Sequence, residues 1–426
     1  MKRRTGEYNW KIKRLLVVAG ILLCGASGCN LQDTQTMPSE PISLEAEPLQ
    51  NEDRQDINSN DETGKNEDRQ DIESTNSASI DEDLEITLVM VGDVLMHTPV
   101  TESGKAEDGS YHYEHLFANV KDLIGDADIA LVNQEVILGG TELGLSGYPA
   151  FNAPYEVGDA LADAGFDVVL HATNHALDKG EKGIRNCLNY WKEFHPEMKI
   201  AGIYPDESSY EEGIVYVEKQ GMKIAVLNYT YGTNGIPVPK DAQYLVNLLD
   251  KRKIETDVKK AKEEADFVVL CPHWGTEYKH EPDASQKEWA NYFADLGVDL
   301  VIGAHPHVIE PVEWVDSTLV YYSLGNFVNA TSGTGNGVAD RMLGAMAVVH
   351  LKKEGDKVII SDYNAIPLVS HLEHGYGNIT VYPMEQYTEE MAKKNWIVEQ
   401  DGNFSLAYIE NVWEKVMQDE NIWKRD

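Results

Sequence analysis

Apolar residues arrive in short bursts from residue 85 onward. EITLVMVGD, DIALVNQE, DVVLHATNH, KIAVLNY, DFVVLCPHWG, DLVIGAHPH and TLVYYSLGN are β-branched or apolar runs, each flanked by polar or glycine signals. That pattern predicts strands buried on both faces. Between several of them, HLFANVKDLIGDA, VGDALADAGF, IETDVKKAKEEA and SQKEWANYFADLG space their apolar residues by three and four, which predicts helices. Helix alternating with buried strand predicts a layered α/β fold. MAVVHLKKEGDKVIISDY breaks the rhythm and reads as an antiparallel hairpin turning at Glu354-Gly355-Asp356. From Tyr387 to Asp426 the pattern is mostly helical, with Met391, Trp396, Ile409, Val412, Trp413 and Val416 as expected buried positions.

Before residue 85 the pattern is of another kind. Lys2, Arg3, Arg4, Lys11, Lys13 and Arg14 precede LLVVAGILLCGASGC. The apolar run Leu15–Leu23 is short for a bilayer span, and small residues follow it, which is the layout of a secretory signal. Ala26-Ser27-Gly28-Cys29 resembles a bacterial lipobox, in which Cys29 is lipidated and becomes the mature N-terminus. Stable anchoring takes two acyl signals, which a diacylated cysteine provides. The next stretch is rich in Asp, Glu, Asn, Ser and Gln, and NEDRQDI occurs at both Asn51–Ile57 and Asn66–Ile72. Such a segment buries too little to fold and reads as a disordered stalk. The expected organisation is a lipoprotein signal over 1–28, an acidic linker over 29–84, an α/β domain over 85–380 and a helical extension over 381–426.

Charge narrows the partners. The 426-residue chain carries a formal net charge of −36, which excludes general nucleic-acid binding and opposes unaided contact with an anionic lipid surface. With Cys24 removed and Cys29 modified, Cys187 and Cys271 remain. Two cysteines in apolar runs make no disulfide framework and are expected as buried thiols.

Chemistry gathers where the apolar runs end. VMVGD ends on Asp93, ALVNQE on Asn133 and Glu135, VVLHATNH on Asn174 and His175, VVLCPHWG on His273, and LVIGAHPH on His305 and His307. Open α/β sheets bind ligands at the carboxyl ends of their strands, so these groups converge on one rim. Carboxylate, amide and imidazole without thiolate suit Zn²⁺, Mn²⁺ or Fe. Asp93, Glu135, Asn174, His273, His305 and His307 exceed one tetrahedral shell and can fill two that share a bridging carboxylate. Two metals about 3.5–4 Å apart are the usual device for in-line displacement at phosphorus. In His305-Pro306-His307, an extended segment directs residues i and i+2 the same way, and proline stiffens it.

VGDVLMH, VNQE, ATNHALDKG, HWGTEY, GAHPHVIEPVE and YSLGNF, in this order from about Ile86 to Val328, resemble the motif series of the CapA family. These are bacterial capsule or poly-gamma-glutamate biosynthesis proteins with a calcineurin-like metallophosphoesterase fold. The resemblance implies an α/β/β/α layered sandwich, two sheets between helices. It implies a site on Asp93, Glu135, Asn174, His175, His273, His305 and His307, and a role in making or exporting an anionic extracellular polymer. Two departures stand out. Metallophosphoesterases commonly carry His two residues after the first Asp, where this chain has Leu95 and reaches His97 only at the fourth. Their second motif usually supplies Asp, where this chain has Glu135.

In a site of this kind His175 donates a proton or stabilises a phosphoryl oxygen; the structural alternative is a histidine merely oriented by Asp178. Asp178 either orients His175 or serves the start of a helix. Glu277 is expected to face the cleft and bind a substrate group. Trp274 and Tyr278 are expected as walls of the site or in the core, with the core favoured, and Asn326 in a turn behind the site. His112, His115, His280, His371 and His374 read as surface or locally bonded residues. The functional expectation is a lipid-anchored, extracytoplasmic, metal-dependent phosphoesterase-type hydrolase holding two divalent ions. Its rival is a metal- and polymer-binding component of a synthesis or export complex that does not cleave.

Overall fold

The structure, a computed structural model, describes residues 84–331, 333–419 and 421–422. The expected leader, Cys29 and the stalk up to residue 83 lie outside these. In chain order the strands are β1 (Glu85–Val94), β2 (Ile129–Asn133), β3 (Val168–Leu170), β4 (Lys199–Ala201), β5 (Val215–Lys219), β6 (Met222–Thr230), β7 (Phe267–His273), β8 (Leu300–Ile302), β9 (Val312–Val315), β10 (Thr318–Tyr321), β11 (Asn326–Val328), β12 (Leu343–Glu354), β13 (Lys357–Glu373) and β14 (Gly377–Pro383). One sheet has the order β14-β13-β12-β1-β2-β3-β4, with β11 also paired to β1; the other runs β5-β6-β7-β8-β10-β9. β1 to β4 pair in parallel, and β12 to β14 continue the sheet antiparallel.

Alternation along β6 shows how the sheets are layered. Met222, Ile224 and Val226 belong to one buried cluster with Leu88, Met90, Leu131 and Val169 of the first sheet. Ala225, Leu227 and Tyr229 point the other way and pack with Ile254, Val258 and Ala261 of the helix Lys251–Glu264, and with Ala290 and Phe293 of the helix Ala284–Asp295. Successive side chains of a strand face opposite sides, so one run of nine residues lines two cores. Contacts such as Cys271 Sγ to Met90 Sδ at 3.7 Å join the sheets. The helices Glu156–Ala164 and Gly180–Phe194 bring Val157, Leu161, Ile184 and Trp191 to the first sheet. The result is the α/β/β/α sandwich, two sheets between helices.

The two helices packed on the second sheet start where the sequence supplies caps. Asp250 accepts from the backbone N–H groups of Arg252 and Lys253, and Asp283 with Gln286 forms a reciprocal capping box. The pattern at 115–127 makes only a 3₁₀ turn, Glu114–Leu116, and a five-residue helix, Lys121–Gly125. Leu116, Phe117, Val120 and Ile124 are all buried, and the break lets each enter the core. Cys187 and Cys271 are free and buried, as expected. Beyond β14, Tyr387, Ala392, Ile397, Ile409 and Trp413 join the same cluster as the sheets. No helix among the described residues is long and apolar enough to cross a membrane.

Candidate metal centre

Parallel pairing sets the first residues of the site level with one another. Asp93 on β1 lies opposite Asn133 on β2 and opposite Asn326 on β11. Asn133 Nδ2 donates to Asp93 Oδ1 at 2.7 Å. On the other side Gly92 lets the chain before β11 come close, since a Cβ there would stand 1.9 Å from the Gly325 carbonyl oxygen, which accepts from the Asp93 N–H. Beyond β2 the chain carries Glu135 into the interior, and Thr173 Oγ1, after β3, donates to its backbone carbonyl at 2.7 Å. That bond and the His175 N–H to Thr173 Oγ1, at 3.2 Å, hold the Asn174-His175 pair against Glu135. β7 delivers His273, whose Nε2 lies 3.0 Å from Asn174 Oδ1 and 3.9 Å from Glu135 Oε1.

The His-Pro-His segment converges by a route other than the extended one expected. β8 stops at Ile302, and His305 and His307 have φ of +103° and +59°. Both lie in the left-handed region that non-glycine residues rarely occupy. The turn is tied down from two sides: Tyr278 N–H donates to Pro306 O at 2.7 Å, and His305 N–H to Asp93 Oδ2 at 3.3 Å. His307 Nδ1 stands 3.2 Å from Asp93 Oδ2, 3.0 Å from Asn326 Oδ1 and 3.7 Å from Glu135 Oε2. Strain at such φ values is stored where the surroundings hold the residue, which is common at functional sites.

Three overlapping groups of side chains bring ligand-type atoms within 4.8 Å of one another: Glu135, His273 and His305; Asp93, Glu135 and His307; Glu277, His305 and His307. Glu135 belongs to two of them. Its Oε1 and Oε2, and His305 Nδ1, are buried and make no hydrogen bond. A buried carboxylate with neither oxygen satisfied is costly, and a cation is the partner that it fits. With nitrogen and oxygen donors only, the cluster is a candidate site for divalent metal.

The electrostatics follow from burial and from neighbours. Burial first, then the nearby Asp93, raises the Glu135 carboxyl well above its usual range, against the pull of His307. Burial would lower His307, yet the Glu135 and Asp93 carboxylates raise it to about 9. Burial and the neighbouring imidazoles hold His273 and His305 well below the usual histidine value. His175 lies at the wall, its Nδ1 2.6 Å from Asp178 Oδ2, while Asp178 also accepts from the Phe151 N–H at 2.7 Å. That pairing favours a proton on Nδ1 and leaves Nε2 to face inward, 3.9 Å from Glu135 Oε1.

An open cavity of about 530 Å³ gives access, and Asn174, His175, Asp178, Glu277 and His307 line it, with Leu95, His97, Tyr148 and Phe151. The eight residues singled out for metal and catalysis thus meet in one place, and Glu277 stands exposed at the mouth. Tyr278 takes the wall of the site and not the favoured core position: it is 44% exposed and lies over His307, ring centroids 5.9 Å apart. Trp274 is buried in the outer core. Asn326 makes direct contact with His307 rather than only a turn, a pairing made by β11 that no local pattern announces. His97 reaches the cavity edge-on to Phe151, and burial together with His307 and His175 lowers it to about 4. His280 bonds locally: its Nδ1 donates to Ile309 O at 2.8 Å, and its Nε2 lies 3.2 Å from Asp340 Oδ2.

Two sheets between helices, with imidazoles and carboxylates at the carboxyl ends of parallel strands, define a layered α/β protein with a candidate metal centre. Residues 87–331, more than half of the chain, match the family described as Bacterial capsule synthesis protein PGA_cap, and the chain belongs to that family. It is 32% identical over 205 residues to the PGA biosynthesis protein CapA of Bacillus subtilis (strain 168), covering 46% of this chain and 50% of that protein. It is 29% identical over 259 residues to the capsule biosynthesis protein CapA of Bacillus anthracis, covering 58% and 60%. The chain therefore spans between half and two thirds of the length of these relatives. Among solved structures, the calcineurin-like phosphoesterase YfkN from Bacillus subtilis aligns at 14% identity with a TM-score of 0.36, covering 77% of this chain and 99% of that one.

Proposed function

We propose that this protein is a lipid-anchored, extracytoplasmic member of a capsule or poly-gamma-glutamate synthesis or export system, with a metal-dependent phosphoesterase-type hydrolase site. The observation that carries the reading is the buried Glu135 carboxylate, unbonded at both oxygens and shared between two groups of ligand-type side chains. Asp93, Glu135, Asn174, His273, His305 and His307 would hold two divalent ions, of Mn, Zn or Fe type. When bound, such ions neutralise charge on a phosphoryl oxygen. Asp178 fixes the His175 ring through Nδ1–H, and a proton taken up at the inward-facing Nε2 makes the imidazolium that would deliver that same proton to a leaving oxygen, returning the ring to its neutral form. Glu277, at the mouth, takes a hydrogen-bonding or cationic substituent of the substrate. Freshly purified protein is expected to contain one or two transition-metal ions per chain and to hydrolyse a generic phosphoester such as p-nitrophenyl phosphate. Protein that contains no metal and takes up neither Mn²⁺ nor Zn²⁺ would refute the site.

One observation favours a second reading, a metal- and polymer-binding component that does not cleave. Leu95 lines the cavity two residues after Asp93, where metallophosphoesterases commonly place a histidine. Metal uptake with no turnover on mono- and diesters would select it. The anchoring half of the proposal rests on the lipobox-like residues 26–29. Cys29→Ala should release the protein or leave an unprocessed precursor, and unchanged lipid labelling and membrane fractionation would contradict it.

A further inference from the structure

Arg341 packs against Tyr278, a residue of the cavity wall, from the 3₁₀ turn Ala339–Met342, beyond the residues that match the family. Its guanidinium carbon lies 3.6 Å from the centroid of the Tyr278 ring, a distance reached only over the ring face. Tyr278 lines the cavity and lies over His307, so the cation is one ring away from the candidate metal cluster. Its field helps to hold down the His97 imidazole, on another part of the cavity wall. Arg341 Nη1 donates to Thr331 Oγ1 at 3.0 Å, and Nε makes no hydrogen bond.

Three features argue that this arginine serves a ligand. A guanidinium stacked on an aromatic face keeps its N–H donors in its own plane, free to grip a planar or tetrahedral oxyanion at its edge. Asp340, the adjacent carboxylate, is engaged elsewhere: Oδ2 meets His280 Nε2 at 3.2 Å, and Oδ1 accepts from Tyr408 OH. That engagement also pins the turn to the helix Leu406–Val416, so Arg341 is placed by the C-terminal part of the chain. Finally, the acidic side chains lining the cavity are Glu277 and Asp178, on a chain of net charge −36. A fixed cation near them adds to His307 and to any bound metal ion in offsetting that field for an anionic ligand.

We propose that Arg341 binds an oxyanion substituent of the ligand, phosphate or carboxylate, at the mouth of the metal-type cluster. The proposal deepens the functional reading above and rests on it for the anionic character of the ligand. The test uses the full chain, Arg341→Ala and Arg341→Lys. Mn²⁺ uptake is measured by equilibrium dialysis, then calorimetric binding of inorganic phosphate and of glutarate, with and without Mn²⁺. Both variants should take up Mn²⁺ as the wild type does. Affinity for at least one anion should fall about tenfold or more in Arg341→Ala, the scale of a lost charged hydrogen bond. Arg341→Lys should recover part of it, since the charge returns without the fork. A larger loss for phosphate assigns the arginine to a phosphoryl group, and a larger loss for glutarate assigns it to a carboxylate. Unchanged affinity for both anions in Arg341→Ala, or a wild type that binds neither, overturns the proposal. A wild type that takes up no Mn²⁺ sinks the metal site instead, and Arg341 is then judged by glutarate binding to the metal-free protein.

Discussion

Two clusters of buried polar groups sit one residue apart on the second sheet, and they are built on opposite plans. On the outer side, Tyr229 of β6 donates to Asp257 Oδ2 at 2.7 Å, and Lys253 Nζ reaches both oxygens of Asp257 at 2.7 Å. Lys253 also donates to Tyr210 O and lies over the Tyr210 ring. Every charge there has its partner. At the rim, β6 and β7 pair Thr230 with His273, and the cluster that begins there leaves Glu135 and His305 with unbonded buried atoms. A network closed on itself stabilises and specifies a core; one left open is held ready for something else. The outer cluster joins Tyr229 of β6 to the helix Lys251–Glu264, while the rim gathers side chains from the ends of β1, β2, β7 and β8, so the two plans share a sheet but not their elements.

Removing one carboxylate from each cluster breaks the comparison most directly. Asp257→Ala strands a part-buried ammonium and a buried phenol, and should destabilise by about 3–5 kcal/mol. Glu135→Gln removes a buried carboxyl that makes no hydrogen bond and is offset chiefly by His307 at 3.7 Å, so the metal-free protein should change in stability by no more than about 1 kcal/mol. Metal uptake should fall with Glu135→Gln and persist with Asp257→Ala. Chemical denaturation with and without chelator checks both. A loss of several kcal/mol in metal-free Glu135→Gln would show that the rim cluster is as closed as the outer one.

Glu310 belongs to neither plan, and it makes the contrast a matter of pH. Gln286 Nε2 donates to its Oε2 at 2.6 Å, while Oε1 is unbonded. Burial raises the carboxyl from 4.5 to about 8. Between those values the folded state keeps a proton that the unfolded chain has released, so stability falls as pH rises through the window and levels off above it. The slope is at most about 1.4 kcal/mol per pH unit, or roughly 3 kcal/mol between about pH 5 and pH 7. Glu310→Gln should flatten this part of the profile in urea titrations of metal-free protein. An unchanged slope would mean that Glu310 is ionised in the folded state.

What the sequence made legible follows the same division. Strands β1, β2, β6, β7 and β10 could be read because each is a run buried on both faces, and the site residues because they come directly after such runs. β4, β9 and β11 are three or four residues long and carry little pattern of their own. With β11 went the contact of Asn326 with His307, which depends on a parallel pairing to β1 more than two hundred residues away. Tyr278 looked apolar enough for the core, but the Tyr278 N–H bond to Pro306 O and a φ of +63° turn it outward over the cavity. Arg341 had no signal, since its role depends on a ring brought to it by tertiary folding. Local patterns reveal what a strand delivers, and non-local pairing decides what meets it.

The smallest effect expected is also the sharpest test of whether the rim is strained. At most sites alanine is more stable than glycine by about 0.5–1 kcal/mol, because glycine has more freedom to lose on folding. At φ of +103°, His305 occupies a conformation that any Cβ resists. Neither His305→Ala nor His305→Gly keeps the imidazole, so both lose the same contacts with Tyr231 and His273, whose ring centroids lie 4.6 and 4.8 Å away. What differs between them is the Cβ. In metal-free protein, His305→Gly should therefore be more stable than His305→Ala by about 1 kcal/mol, the reverse of the usual order. Metal uptake should be weakened equally in the two. At an unstrained, exposed position inside the helix Gly180–Phe194, such as Asn189, the same pair of substitutions should show the ordinary order. If alanine is also the more stable at 305, the left-handed turn stores no strain, and the rim differs from the outer cluster only in its open hydrogen bonds.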